Sequence, residues 1–121
     1  LGIDLVEVSR IRALLERRGD RFKERMYRPD EIAYCDSCSD PAIHYAARFA
    51  AKEAVVKALG TGFAEGVGWN DVEVRRAASG MPSVVLHGGA KKLAAEQGVQ
   101  KVLITLTHTA TAAAASVVLL G

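Results

Sequence analysis

The chain has 121 residues, of which 50% are hydrophobic and 25% are charged, and its formal net charge is +2. This length fits one domain, residues 1–121, that buries a modest core without help from disulfides or metals. The longest apolar stretch, at 112–120, is too short to span a bilayer, and the N-terminus shows no signal-peptide pattern. We therefore expect a cytoplasmic protein that does not bind membranes.

The first half of the chain predicts one strand followed by four helices. At 1–8, Ile3 and Leu5 alternate with Asp4 and Val6, which is typical of a short strand. The helices are predicted from helical spacing of apolar residues and from start and stop signals. They run from Ile11 to Gly19, around Phe22 and Met26, from Pro29 onward, and from Asp40 to Leu59, where Gly60 is the stop.

In the second half, the period of the apolar residues changes to two after a loop at 61–69. The predicted elements are a strand with Val72 and Val74, a turn at 79–82, a strand at 84–86, a helix at 89–97, and strands at 101–107 and 112–120. This order predicts an α+β fold, in which an N-terminal strand and helices, with one long central helix, pack on a mainly antiparallel sheet.

Two carboxylates in separate elements, Asp4 and Glu53, indicate a site for a hard divalent cation. Magnesium takes one or two carboxylates and completes its coordination with water and substrate phosphate. Each acid also has an ordinary explanation. Asp4 fits a solvated strand residue, and Glu53 fits a surface pair with Lys57 one turn further along the helix.

The segment Gly60-Thr61-Gly62 follows a helix, whereas phosphate is drawn to helix N-termini. A diphosphate at this position therefore needs compensating cations, and Lys57, Arg48 and Lys52 would supply them. If no phosphate binds there, the same three residues are explained as a helix C-cap and a turn.

Taken together, these segments resemble the holo-acyl-carrier-protein synthases, a family of 4'-phosphopantetheinyl transferases. The similarity is carried by Gly2-Ile3-Asp4, Arg10-Ile11, the run from Arg48 to Gly62, and Thr107-His108-Thr109. It implies transfer of phosphopantetheine from coenzyme A to a serine of apo acyl carrier protein, in fatty acid biosynthesis. Because the family begins a few residues earlier and Leu1 is not methionine, residues are expected to precede Leu1.

The resemblance assigns roles to individual residues. It implies that Asp4 and Glu53 bind Mg²⁺ and that Lys57 acts with them in catalysis. The residues implied to bind coenzyme A are Arg48, Lys57, Gly60, Thr61, Gly62, Pro82, His108 and Thr109. The sequence leaves three candidates for the acceptor of the serine proton: Glu53 acting through a water molecule, a group on the carrier protein, and bulk water.

Positive charge is concentrated between Arg10 and Arg28. This segment has eight basic and three acidic residues, an excess of +5, whereas the net charge of the whole chain is +2. Such a face suits a solvated surface, a nucleic acid or an acidic protein. Nucleic acid is the weaker choice, because the rest of the chain carries a net charge of −3. The resemblance implies docking of acyl carrier protein, on Arg10, Leu14, Arg17, Arg21 and Arg25.

Three further expectations concern thiols, assembly and rival functions. Cys35 and Cys38 form one Cys-x-x-Cys without a second half-site, which favours incidental thiols over a zinc or redox site. The apolar residues at 102–106 and 110–120 exceed what one small sheet covers, which indicates an interface, and the resembling family forms homotrimers with shared active sites. Two other functions compete with the transferase interpretation: a non-catalytic carrier-binding module and a nucleic-acid-binding domain.

Overall fold

A computed structural model describes residues 1–63 and 66–121, so residues 64 and 65 of the predicted loop at 61–69 lie outside the described residues. A short 3₁₀ helix spans Trp69–Asp71. The other elements in chain order are β1 (Gly2–Glu7), α1 (Val8–Arg18), α2 (Asp20–Met26), α3 (Pro29–Ser37), α4 (Pro41–Leu59), β2 (Val72–Arg76), β3 (Pro82–Leu86), α5 (Gly88–Glu96), β4 (Lys101–His108) and β5 (Ala112–Leu120).

The predicted α+β class is confirmed, but the strands form two antiparallel sheets where one was expected. One sheet has the order β1-β5-β4, and the other is the β2-β3 hairpin. The prediction missed that the first strand pairs with the last, because such a pairing is non-local and leaves no mark on the spacing of apolar residues. In this pairing Asp4 lies opposite Ala115, which in turn lies opposite Leu106 of β4.

The α1 helix begins at Val8, three residues before the predicted start at Ile11. The backbone N–H of Val8 donates to the carbonyl of Thr111 at 2.9 Å, so the strand ends and the helix begins against the β4–β5 turn. None of the helices in the described ranges is long and apolar enough to cross a membrane.

The central element is α4, which packs against the three-stranded sheet through small side chains. Ala50, Ala51 and Ala54 are fully buried, and a side chain on Gly2 would collide with the backbone carbonyl of Ala54. Because Gly2 lacks a Cβ, β1 approaches α4 closely. The helix then ends at Gly60, whose φ of 88° places it in the left-handed region that favours glycine.

A buried ion pair joins α4 to α3 and to the hairpin. The Nζ of Lys52 lies 2.9 Å from Oε1 of Glu31, and both side chains are fully buried. Lys52 also donates to the carbonyls of Trp69 and Val72, while Glu31 accepts from the backbone N–H of Val74 at 3.2 Å. Burial lowers the pKa of Lys52, and the carboxylate of Glu31 opposes that shift.

We expect Glu31→Leu to lower the free energy of unfolding by about 3–5 kcal/mol, because Lys52 would be left as an uncompensated buried charge. The double variant Glu31→Leu/Lys52→Met should recover part of this loss, since no buried charge remains. Urea unfolding at neutral pH measures both.

The control is Arg12→Leu, which breaks the Arg12–Asp40 pair of 3.1 Å at the surface. Its effect should be much smaller because water and salt screen exposed pairs. Equal stability of Glu31→Leu and the wild type would contradict the role given to the buried pair.

Candidate functional site

The first part of the site, the acidic half, consists of Asp4, Glu53 and Lys57. Asp4 lies on the side of β1 that faces α4, and its Oδ1 lies 2.8 Å from the Nζ of Lys57. Lys57 also donates to the carbonyl of Ile3 at 3.3 Å. The surface pair predicted between Glu53 and Lys57 is therefore replaced by a pair across two elements, since Asp4 offers the lysine a closer partner.

Glu53 lies one helical turn before Lys57, on the same face of α4. Burial, followed by the nearby carboxylate of Asp4, raises the pKa of Glu53. The hydrogen bond to Asp4 raises the pKa of Lys57. Two carboxylates are thus close enough to repel each other, and this oxygen-only donor pair fits a hard divalent cation.

The glycine loop lies at the C-terminal end of α4, directly after the acidic half. The N–H of Gly60 donates to the carbonyls of Val56 and Lys57, and the hydroxyl of Thr61 donates to the carbonyl of Gly62 at 3.0 Å. The end of a helix carries partial negative charge. An anion at this loop therefore depends on Lys57 and on a bound cation for its stabilisation.

A second part of the site, the basic half, lies elsewhere and consists of Tyr34, His44, Arg48, Arg76 and His108. The guanidinium carbons of Arg48 and Arg76 lie 4.3 and 5.5 Å from the centre of the Tyr34 ring. The His44 ring lies 5.7 Å from that of His108. Arg48, Arg76 and His44 thus contact one tyrosine, and His108 joins the group through His44.

Two other residues predicted to bind coenzyme A have defined positions near β2 and β4. Pro82 begins β3 and pairs with Arg76 across the hairpin, which places it beside the basic half. Thr109 follows His108, and its hydroxyl accepts from the N–H groups of Thr111 and Ala112 at 3.2 and 3.0 Å. The Thr109 side chain therefore shapes the β4–β5 turn.

The two halves are on different faces of α4. Glu53 follows Arg48 by five residues and Lys57 follows it by nine, which corresponds to rotations of about 140° and 180° around the helix. The structure thus divides the predicted coenzyme A residues into two groups and does not bring them together within one chain.

Lys52, which the sequence suggested as a further cation for a diphosphate, does not reach solvent. Its side chain is fully buried and is bonded to Glu31 and to two backbone carbonyls. The expectation was wrong because Lys52 and Lys57 look alike in the sequence, although a separation of five residues directs them to different faces.

A groove of about 590 Å³, named the docking groove after the predicted role of its lining residues, runs along α1 and α2. Its walls are basic and its floor is apolar. It is lined by Arg10, Leu14, Arg17, Arg18, Arg21, Phe22, Arg25, Met26, Phe49 and Trp69. All five residues predicted to bind the carrier protein therefore lie around one depression, across the break between the helices at Gly19.

The floor of the docking groove includes aromatic residues that the sequence analysis missed. The Phe49 ring stacks on Trp69 at 4.7 Å, and the Arg10 guanidinium carbon lies 5.2 Å from the Phe49 ring centre. Phe49 and Trp69 are far from α1 in the chain, so inspection of the basic segment alone could not find them. The sequence could have identified His44, because it precedes Arg48 by one helical turn and therefore lies on the same face of the helix.

The two cysteines carry free thiols, and burial raises the pKa of Cys35 to about 12. The Sγ of Cys38 donates to the carbonyl of Tyr34 at 3.3 Å. Within residues 1–63 and 66–121, no three side chains of His, Cys, Asp or Glu converge on one metal position. The described residues therefore give these thiols no partner for a zinc site.

Comparison with known proteins agrees with these features. Residues 1–117 match the sequence model of the 4'-phosphopantetheinyl transferase superfamily. The chain is 48% identical over 118 residues to the holo-[acyl-carrier-protein] synthase of Solibacter usitatus, covering 98% of this chain and 94% of that protein. It is 52% identical over 124 residues to the same enzyme of an Anaeromyxobacter strain, covering 100% of this chain and 94% of that protein.

Solved structures give the same result. The holo-[acyl-carrier-protein] synthase of Neisseria meningitidis superposes with a TM-score of 0.89 at 31% identity, covering 99% of this chain and 96% of that one. The Helicobacter pylori enzyme in complex with coenzyme A gives a TM-score of 0.86 at 30% identity, covering 98% and 97%. The chain belongs to the 4'-phosphopantetheinyl transferase superfamily and, within it, to the holo-[acyl-carrier-protein] synthases, as the resemblance predicted.

Proposed function

We propose that this chain transfers 4'-phosphopantetheine from coenzyme A to a serine of apo acyl carrier protein, using Mg²⁺ held by Asp4 and Glu53. The observation that carries the proposal is the full-length match to holo-[acyl-carrier-protein] synthases, one of them in complex with coenzyme A. A cytoplasmic location goes with it, because both thiols are free, as is usual in a reducing compartment.

The acidic half supports the metal assignment. Burial and the charge of Asp4 disfavour ionised Glu53, so a divalent cation between the two carboxylates would relieve that repulsion. When bound, Mg²⁺ supplies positive charge that offsets the diphosphate of coenzyme A.

The side chains of this chain then position the reactants. Lys57, held by Asp4 at 2.8 Å, stabilises negative charge that develops on the leaving adenosine 3',5'-bisphosphate. The carrier serine attacks the β-phosphate of coenzyme A. Arg48 and His108 bind phosphates at the nucleotide end, so catalysis depends mainly on orientation and electrostatics. We propose Glu53, acting through a water molecule, as the group that accepts the serine proton.

We expect Asp4→Ala and Glu53→Ala each to lower turnover by about 10², the ~3 kcal/mol typical of losing one preorganised electrostatic contact. Transfer is measured as the mass increase of intact carrier protein at limiting magnesium. Lys57→Ala should raise the KM for coenzyme A as well as slow turnover.

Glu96→Ala serves as the matched control, because Glu96 is an exposed acid on α5. It should keep wild-type turnover within about twofold, the scale of an isolated surface substitution. Normal rates for both acidic-half variants would refute the metal assignment without affecting the transferase assignment.

The docking groove is the proposed site for the carrier protein. Acyl carrier proteins are small and acidic, and five arginines around an apolar floor suit an acidic helix with exposed apolar side chains. The arginine fork pairs carboxylates at two points, which favours a defined orientation. The aromatic floor of the groove also admits nucleic acid as a rival ligand.

Reversing Arg21 to Glu should raise the KM for the carrier protein by about tenfold or more and leave the KM for coenzyme A unchanged, because the change lies in the groove wall. Lys91→Glu, the same charge reversal on α5, should leave both values unchanged. Added salt should raise the carrier KM of the wild type.

A carrier KM that does not respond to salt would contradict this docking surface. Tight binding of a duplex oligonucleotide at physiological salt would favour the rival ligand.

Assembly is the remaining part of the proposal. The face of the three-stranded sheet that points away from α4 carries exposed apolar side chains, with Ile3 and Leu5 exposed at 70% and 71% and Leu103 at 41%. Exposed apolar surface of this kind marks an interface. Because one chain holds the acidic and basic halves on different faces of α4, we propose a homotrimer in which neighbouring chains complete each site.

Mixing two inactive variants tests the shared site. Asp4→Ala lacks the acidic half and Arg48→Ala lacks the basic half, so the trimers that form from an equimolar mixture should regain activity at about a quarter of all sites. Each variant alone should stay far below wild-type turnover. Sedimentation of the wild type should show three chains per particle, and Leu103→Glu should reduce that number while Lys91→Glu does not. A mixture that stays inactive although the subunits exchange would show that each chain contains a whole site.

A further inference from the structure

Tyr34 is the residue around which the basic half is assembled. Its ring contacts Arg48 and Arg76 through cation–π geometry, at 4.3 and 5.5 Å from the ring centre. The His44 ring meets it edge to face, with centroids 5.8 Å apart and an interplanar angle of 83°. One side chain of α3 thus contacts residues from α4 and β2 at the same time.

The aromatic contacts continue from Tyr34 to His108. The rings of His44 and His108 are 5.7 Å apart at 67°, so Tyr34, His44 and His108 form a series of edge-to-face pairs. Burial, followed by His108, Arg48 and Arg76, lowers the pKa of His44. A neutral His44 packs beside the arginines without adding to the repulsion between them.

The arginines need this support because their other partners are few. Arg48 is 4% exposed, and its buried Nε has no hydrogen-bond partner within residues 1–63 and 66–121. Like charges repel, so Arg48 and Arg76 would separate without a group that attracts both. The electron-rich face of a tyrosine ring provides that attraction.

Other charged groups lie near Arg48 and Arg76. A depression of about 240 Å³ is lined by Asp30, Tyr34, Arg48, Val74, Arg75 and Arg76. Arg75 is paired with Glu73 at 2.9 Å, and Asp40 is among the charges that act on His44. Arg48 and Arg76 are therefore the two arginines of the depression that the Tyr34 ring orients.

We propose that Tyr34 is a positioning residue that sets the affinity for coenzyme A, by holding Arg48 and Arg76 directly, and His108 through His44, in the orientation that binds phosphate. The proposal rests on the proposed function of the basic half. It assigns the role to the ring and not to the hydroxyl, since, among the described residues, the side-chain contacts of Tyr34 are made by its ring while its carbonyl accepts from Ser37 and Cys38.

The test compares Tyr34→Leu with Tyr34→Phe. The leucine variant loses two cation–π contacts and should raise the KM for coenzyme A by about tenfold, whereas phenylalanine keeps the ring and should stay within about twofold of wild type. The turnover number at saturating coenzyme A and the KM for carrier protein should not change in either variant. Calorimetric titration of adenosine 3',5'-bisphosphate should show the same ratio of affinities in the absence of carrier protein.

An unchanged coenzyme A KM in Tyr34→Leu, or an equal loss in Tyr34→Phe, would overturn the proposal. Melting temperature checks that each variant is folded. Should Tyr34→Leu not fold, His44→Leu removes the ring that joins Tyr34 to His108 and should still raise the coenzyme A KM, while His44→Phe should not. Failure of the wild type to modify any carrier protein would instead refute the proposed function, so the two failures are distinguishable.

Discussion

The buried ion pair between Lys52 and Glu31 sets the orientation of the helix on which the rest of the structure depends. It ties α4 to α3 and to the first strand of the hairpin, in a place where neither charge reaches water. Tyr34 follows Glu31 by three residues and Arg48 precedes Lys52 by four, so each lies on the same helical face as the paired residue. The pair that orders the core thereby also brings Tyr34 and Arg48 into contact.

Small side chains are the second constraint. Ala113 and Ala115 of β5 are buried against the alanines of α4, and Gly2 lets the edge strand approach the helix. Larger residues would hold the sheet further from the helix, and Asp4 would no longer reach Lys57 at 2.8 Å. The positions of the acidic half are therefore set by residues that carry no chemistry themselves.

The helices and strands were predictable because each has strong local signals, such as Gly60 after α4 and alternation in β2. The pairing of β1 with β5 was not, since partners more than a hundred residues apart leave no local pattern. Among the site residues, Asp4 needed the family resemblance, because a strand acid is usually solvated. Lys52 was misjudged, since a lysine on a helix is rarely buried and only the tertiary structure reveals its partner.

The order of the predicted site residues around α4 would let both substrates reach one reaction centre. Phe49, in the floor of the docking groove, precedes Glu53 by one turn, so the groove opens beside the acidic half of the same chain. Arg10 at the groove wall is close enough to act on the charge of Glu53. Arg48 is rotated around the helix by about 100° from Phe49 and by about 140° from Glu53. In the proposed trimer, one subunit therefore provides the docking groove and the acidic half, and its neighbour binds the nucleotide end of coenzyme A. The serine and the diphosphate then approach the carboxylates from different sides.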